Sequence, residues 1–321
     1  MSPTIAEIAA AAERAAARIA GLVRETPLEL SRGFSHRAGA NISLKLENLQ
    51  HTGSFKLRGA MNRLLTSTVE ERVNGCVTAS SGNHGAAVAY ATQKLETTGI
   101  IFVPEQTSPA KLELIRRYGG DVRLFGSDGL HAEQHARQFA DQNGMYYISP
   151  YNDFEVIAGQ GTCGIEIVSR LDDVDAAFIA VGGGGLVSGV GSVLKTRYPQ
   201  MRIFGCQPEA SAVMAKSVAA GRVLDLCSEP TLSDGTAGGV EADSITFGLT
   251  RKLVDEFILV SEAQIAAAMR EYIDTERQLI EGAAGVAIAG LLAKREAVRG
   301  MNVAVVICGG NVNCETLRAV I

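Results

Sequence analysis

Four short segments combine reactive side chains with residues that let a backbone come close to a ligand. The first is Thr52-Gly53-Ser54-Phe55-Lys56-Leu57-Arg58-Gly59-Ala60. A lysine flanked by Phe55 and Leu57 can be desolvated, which lowers its pKa and frees the amine for a Schiff base. Alone, a lysine after such a turn is an ordinary solvated residue. The second is Ala79-Ser80-Ser81-Gly82-Asn83-His84-Gly85, whose small residues can aim backbone N–H groups at an anion from a helix N-terminus. Alone, it reads equally as a capping turn with Ser81 or Asn83 as the cap. The third is Val181-Gly182-Gly183-Gly184-Gly185-Leu186. Four glycines in a row are costly to order, and their use is close approach to a phosphate. The run lacks the i, i+2, i+5 glycine triplet of a dinucleotide site and is followed by no Gly-Lys-Ser/Thr, so neither nucleotide fingerprint fits. The fourth is Val305-Val306-Ile307-Cys308-Gly309-Gly310-Asn311, which puts Cys308 at the carboxyl end of a strand. Ligands of α/β proteins sit there, although a free cysteine is also commonly a buried structural thiol.

The elements that must position these segments alternate along the chain. Ile42, Leu44 and Leu46 alternate with polar residues, which predicts a half-buried strand. Strands are also expected over Cys76 to Thr78, Gly99 to Val103, Asp121 to Phe125, Tyr146 to Ile148, Ala176 to Val181, Arg202 to Cys206, Phe257 to Val260 and Val303 to Cys308. Helices are expected over the Ala-rich stretch to Ala20, Lys111 to Tyr118, Leu130 to Gln142, Leu186 to Tyr198, Glu262 to Gln278 and Ala283 to Lys294. Such a rhythm implies an α/β protein with mostly parallel sheets covered by helices on both faces. The number of strands favours two sheets with a ligand cleft between them.

Composition narrows the function classes. The formal net charge of the 321 residues is -5, and no Lys/Arg cluster stands out, which argues against a nucleic-acid partner. No run of 18 apolar residues suggests a membrane span, and the N-terminus lacks the basic and apolar regions of a secretory signal. The six cysteines include no C-x-x-C pair, so reduced thiols and a cytoplasmic location are expected.

In order and spacing, the four segments and Ile157-Ala158-Gly159-Gln160-Gly161-Thr162 together resemble the pyridoxal 5'-phosphate enzymes of fold type II. More narrowly, they resemble the serine/threonine dehydratase (threonine ammonia-lyase) and serine racemase group. The resemblance implies a two-domain, tryptophan synthase β-like fold. Residues 1–74 and 150–321 would form a large cofactor-binding domain, residues 75–149 a small one, with the active site in the cleft and a homodimer as the assembly. It implies elimination of water from a small β-hydroxy amino acid such as L-threonine or L-serine, giving a 2-oxo acid and ammonia. Lys56 would hold the cofactor covalently and act as the base, with Phe55 against the pyridine ring. Gly182, Gly183, Gly184 and Gly185 would cradle the phosphate, and Asn83 would meet the ring hydroxyl. Glu281 would lie near the cofactor. Ser80, Ser81, Asn83 and His84 would hold the substrate carboxylate, Ser81 standing where racemases of the group place their second acid/base.

Three segments depart from the group. Cys308 stands where relatives carry a serine hydrogen-bonded to the pyridine nitrogen. A thiol is a weaker donor but also neutral, which suits elimination over transamination. Gln207 and Val213 stand where metal-activated members have carboxylates; Glu209 alone is too few hard oxygens for Mg²⁺ or Ca²⁺, so no divalent site is expected there. Near His131, racemase-like members carry an arginine. His131 and His135 are spaced for a metal but lack a third ligand, which favours two exposed or packed histidines. Separately, Thr231 to Glu241 is similar to the dehydratases of hydroxyectoine utilisation, which implies as an alternative a hydroxy-diaminobutyrate-type substrate.

Overall fold

Residues 3–321 are described in a computed structural model, and they alternate helix and strand almost throughout. The first half runs α1 (Ile5–Ile19), β1 (Leu28–Leu30), α2 (Arg32–Ala38), β2 (Asn41–Leu46), α3 (Lys56–Leu65), α4 (Val69–Asn74), β3 (Cys76–Ala79), α5 (Asn83–Lys94), β4 (Gly99–Val103), α6 (Pro109–Arg117), β5 (Asp121–Leu124), α7 (Gly129–Gln142) and β6 (Tyr146–Tyr147). The second runs α8 (Phe154–Val168), β7 (Ala176–Ala180), α9 (Gly185–Arg197), β8 (Arg202–Pro208), α10 (Val213–Ala220), α11 (Ile245–Leu253), β9 (Glu256–Val260), α12 (Glu262–Glu276), α13 (Gly282–Ala293), β10 (Asn302–Ile307) and α14 (Cys314–Val320).

Two sheets form. Six strands pair in the order β1-β2-β10-β7-β8-β9, all parallel except the antiparallel edge pair of β1 with β2. The other four pair as β5-β4-β3-β6, all parallel. Parallel strands covered on both faces must be apolar throughout, and Ala176, Ala177, Phe178, Ile179 and Val303 to Ile307 are all buried. Helix α13, Gly-Ala-Ala-Gly-Val-Ala-Ile-Ala-Gly-Leu-Leu-Ala, is apolar on every side and lies in the core between the large sheet and α12.

Small residues set the close packing of α3, α8 and α9. A Cβ on Gly159 would stand 2.5 Å from the Arg58 carbonyl oxygen, and one on Gly189 would stand 2.4 Å from that of Ile157. Helix α1 starts with a capping box in which Thr4 and Glu7 exchange hydrogen bonds, and packs on α8 and α9.

Two expectations are corrected. β2 is not half-buried: Lys45 is as fully buried as its apolar neighbours, because its ammonium meets Glu166 and Thr26 inside the protein. Neither Ser81 nor Asn83 caps α5; the cap is Gly82, with no side-chain bond, and Asn83 is the first helical residue.

Candidate active site

β3, β7 and β10 all end at one cavity of about 420 Å³, within the roughly 300–1,000 Å³ typical of small-molecule sites. Its lining includes Phe55, Lys56, Ser80 to His84, Gly182 to Gly185, Glu281 and Cys308. The residues expected at the cofactor and the substrate carboxylate therefore reach one place, between the two sheets, whereas His131, His135, Gln207 and the Ile157 to Thr162 motif lie outside its lining.

Lys56 opens α3. The turn before it is tied to the end of β10: Phe55 N–H donates to the Cys308 carbonyl at 3.0 Å, and Gly310 N–H donates to that of Gly53 at 2.9 Å. Gly53 takes φ +74°, where a Cβ would also strike Asn311 Oδ1 at 2.5 Å, so glycine is required twice over. Lys56 Nζ donates to the Pro150 carbonyl at 2.8 Å and has no salt-bridge partner among the described residues. Burial lowers its pKa to about 8, against the opposing pull of Cys308 and Glu281. The free amine is thus within reach near neutral pH.

The glycine run forms the opposite wall. Gly184, at φ +85°, is the cap of α9, and the first bond of that ladder is Ser188 N–H to the Gly184 carbonyl. The N–H groups of Gly185, Leu186 and Val187 precede it and are free for an anion. A Cβ on Gly183 would lie 2.5 Å from the Tyr151 ring, and one on Gly182 would lie 3.0 Å from Thr236 Cα. At Gly183 and Gly184 a larger residue would force its neighbours to move, and at Gly182 and Gly185 the fit is already tight.

In the serine-rich loop, Ser80 Oγ accepts from Gly82 N–H at 3.2 Å, and Ser81 lines the cavity. Helix α5 begins its ladder with Ala86 N–H to the Gly82 carbonyl, which leaves the N–H groups of Asn83, His84 and Gly85 outside it. The His84 ring is buried and turned to the Ile148 carbonyl, 3.1 Å from Nε2. Since a carbonyl only accepts, Nε2 carries the proton; burial lowers the pKa to about 3, so the ring is neutral. Asn83 Nδ2 donates to both Glu281 oxygens at 2.8 and 3.0 Å, and its Oδ1 accepts from Asn311 Nδ2 at 2.7 Å. Burial raises the Glu281 pKa to about 7, with the Asn83 bond pulling the other way. Burial also pushes the Cys308 thiol well above its usual range, so it is neutral.

The site also uses residues that the sequence reading passed over. Tyr151 packs against Gly183 and Gly185, with its hydroxyl accepting from Glu241 N–H at 3.0 Å. Lys111, from the small sheet's α6, bonds Asp234 at 2.9 Å across the mouth of the cavity. Nothing in their local sequence marks either role. Where metal-activated relatives would have a carboxylate, Gln207 is instead an internal brace, donating to the Val181 carbonyl and accepting from Ala215 N–H. His131 is exposed and bonded to Ser127, while His135 stacks on Phe125 at 3.6 Å between ring centroids.

A poised lysine, a glycine cradle at a helix N-terminus and a neutral donor at a strand end suit a ring aldehyde bearing a phosphate. The family description "Pyridoxal-phosphate dependent enzyme" matches residues 19–309. The chain belongs to that family. It is 38% identical over 310 residues to a putative threonine dehydratase of Sinorhizobium fredii, covering 96% of this chain and 93% of the relative. It is 39% identical over 300 residues to an L-threonine ammonia-lyase of Thermotoga maritima, covering 94% and 74%. Among solved structures, threonine deaminase isoform 2 from Solanum lycopersicum superposes with a TM-score of 0.93 at 36% identity, covering 98% of this chain and 92% of that one. Maize serine racemase does so with 0.92 at 30%, covering 97% and 95%. The fold is that of a fold type II enzyme, its cofactor is pyridoxal phosphate, and the chain is a lyase by family.

Proposed function

We propose that this pyridoxal-phosphate enzyme is a dehydratase that removes water from L-threonine or L-serine and releases a 2-oxo acid and ammonia. The observation that carries the reading is the half-buried Lys56 amine sharing one cavity with a glycine cradle and a serine-rich helix N-terminus. The names of the similar proteins agree with it.

In this reading Lys56 would hold the cofactor, Gly182 to Gly185 would take its phosphate, Phe55 would pack against its ring, and Cys308 would serve the ring nitrogen. Asn83, held by Glu281 and Asn311, would meet the ring hydroxyl. Bound pyridoxal phosphate supplies an electron sink for charge at the substrate α-carbon. Ser80, Ser81 and the free N–H groups of Asn83 and His84 take the carboxylate, which fixes the α-carbon toward Lys56. Lys56 Nζ, released from the cofactor when the substrate amine takes its place, would remove the α-proton. The β-hydroxyl would leave with one proton as water, balanced by the α-proton that Lys56 takes up, and addition of water to the released unsaturated amine would give the 2-oxo acid and ammonia. A neutral Cys308 would leave the ring nitrogen without a full proton, which would favour elimination over transamination.

The chain would work as a small domain, residues 75–149, against a large one, residues 1–74 and 150–321, as a homodimer in the cytoplasm. The two sheets support the division, and six free cysteines support a reducing compartment. Among the described residues, no helix is long and apolar enough to cross a membrane.

Lys56→Ala is expected to abolish both the bound cofactor's visible absorption band and turnover; retained turnover would refute the assignment. A panel of L-serine, L-threonine and hydroxy-diaminobutyrates, read for 2-oxo acid, ammonia and D-serine, fixes the substrate. Turnover of the diamino compounds alone, or D-serine without ammonia, would replace the threonine/serine reading.

A further inference from the structure

We infer that the buried ion pair between Glu47 and Arg58 is a positioning clamp for Lys56. The inference rests on Lys56 being the cofactor's lysine. Glu47 begins the segment that leaves β2, and Arg58 lies two residues past Lys56 in the first turn of α3. The pair closes an eleven-residue separation with two parallel bonds, Arg58 Nε to Glu47 Oε2 at 2.7 Å and Arg58 Nη2 to Glu47 Oε1 at 2.8 Å. Such a fork fixes direction as well as distance.

The clamp is itself held from three sides. Arg58 Nη1 donates to Glu166 Oε1 at 2.5 Å and to Thr162 Oγ1 at 3.1 Å, and Nη2 donates to Glu166 Oε2 at 2.8 Å, all on α8. Thr26 Oγ1 donates to Glu47 Oε1 at 2.5 Å. Lys45 bonds Glu166 and the Thr26 carbonyl, and lies 3.7 Å from Glu47. Two cations and two carboxylates thus balance with Lys45, Glu47 and Arg58 fully buried. Burial works against the charges of Glu47 and Arg58, but their partners win: the Glu47 pKa is lowered and that of Arg58 raised.

A buried pair of this kind is a weak stabiliser, since apolar replacements often fold as well. Its distinctive product is geometry. The segment between its ends carries Lys56, and its middle is tied to the end of β10 through Ser54 and Phe55. Gly59 N–H donates to Gln160 Oε1 at 3.1 Å, which fixes the next residue of α3 to α8. With both flanks fixed, the first turn of α3 has one orientation, and the Lys56 amine has one approach to the glycine wall.

The test compares Arg58→Lys, which keeps the charge and loses the fork, with Thr162→Val, which removes a single neutral contact to Arg58. Both are purified with cofactor beside a Lys56→Ala control, and read by thermal melting, visible circular dichroism of the bound cofactor, its pH profile, kcat and KM. For Arg58→Lys we expect a cooperative melt, loss of most of the visible dichroism, a kcat reduced about a hundredfold, the order of cost of a 1 Å misplacement, and little change in KM. Thr162→Val is expected to move the same readouts less. A lowered melting temperature with parental dichroism, pH profile and kcat in either folded variant would overturn the clamp, as would an unfolded Arg58→Lys beside a parental Thr162→Val. A Lys56→Ala control that kept the bound cofactor band would remove the underlying reading, and the clamp with it; the two failures are therefore separable.

Discussion

Lys56 differs from an ordinary lysine by what surrounds it: a carbonyl from Pro150, a ring from Phe55 at 5.2 Å, and no carboxylate in direct contact. Its pKa of about 8 has a kinetic signature. Capture of pyridoxal phosphate by the apoprotein needs the neutral amine, so the capture rate should rise about tenfold per pH unit up to about pH 8 and level off above it. Stopped-flow absorbance measures this; a rise continuing toward 10.5 would show a solvated lysine instead. The stability of the apoprotein has a definite sign as well. The folded pKa lies below the ordinary 10.5, so between about 8 and 10.5 the unfolded chain binds more protons, and stability rises with pH in that window.

At the scale of elements, the glycine wall makes a sharper demand than the cofactor alone. Gly183 faces the Tyr151 ring, and that ring is pinned by the Glu241 N–H. Gly183→Ala must displace one or the other, a disturbance of about 1–3 kcal/mol in tightly packed surroundings. Cofactor affinity measured by absorbance titration is therefore expected to fall about tenfold or more, since each 1.4 kcal/mol is a factor of ten. An unchanged affinity would mean that Tyr151 is free to move. Glycine runs, the lysine turn and the serine loop were legible because each demands its residue type locally. Tyr151 and Lys111 were not, because their partners, Gly183 and Asp234, are distant in the chain. Lys45 misled for the same reason. Its alternation with Ile42, Leu44 and Leu46 signals one wet face, while Glu166, which keeps that face dry, comes from α8. Helices α3 and α8 went unread because they carry the motif residues Lys56 to Ala60 and Ile157 to Thr162, and small or polar residues blur the helical period.

Across the whole molecule, two ion pairs join the small sheet's helices to the 231–241 segment that borders the cavity: Lys111 with Asp234 at 2.9 Å and Arg137 with Glu241 at 3.2 Å. Lys111 and Asp234 are 40% and 64% exposed at their side chains, so the pair adds little to stability. Its expected effect is on how the two halves meet over a substrate. Asp234→Asn should raise KM about threefold while leaving the melting temperature nearly unchanged, and the parent's KM should climb with salt toward that of the variant as screening grows. Steady-state kinetics over a salt series reads this; a KM insensitive to both changes would leave the bridge without a part in substrate capture.

The strand order has a consequence for how the enzyme is made. β10, close to the last residue of the sequence, is inserted between β2 and β7, not added at an edge. Until it emerges from the ribosome, β2 and β7 have no neighbour to join them, Phe55 has no Cys308 carbonyl to bond, and the lysine turn has no floor. Long-range pairing of this sort is slow to form, and it leaves sheet edges open to aggregation during synthesis. The half-made chain therefore lacks the ground on which the lysine turn rests, and capture of pyridoxal phosphate reports that β10 has been made and has taken its place between β2 and β7.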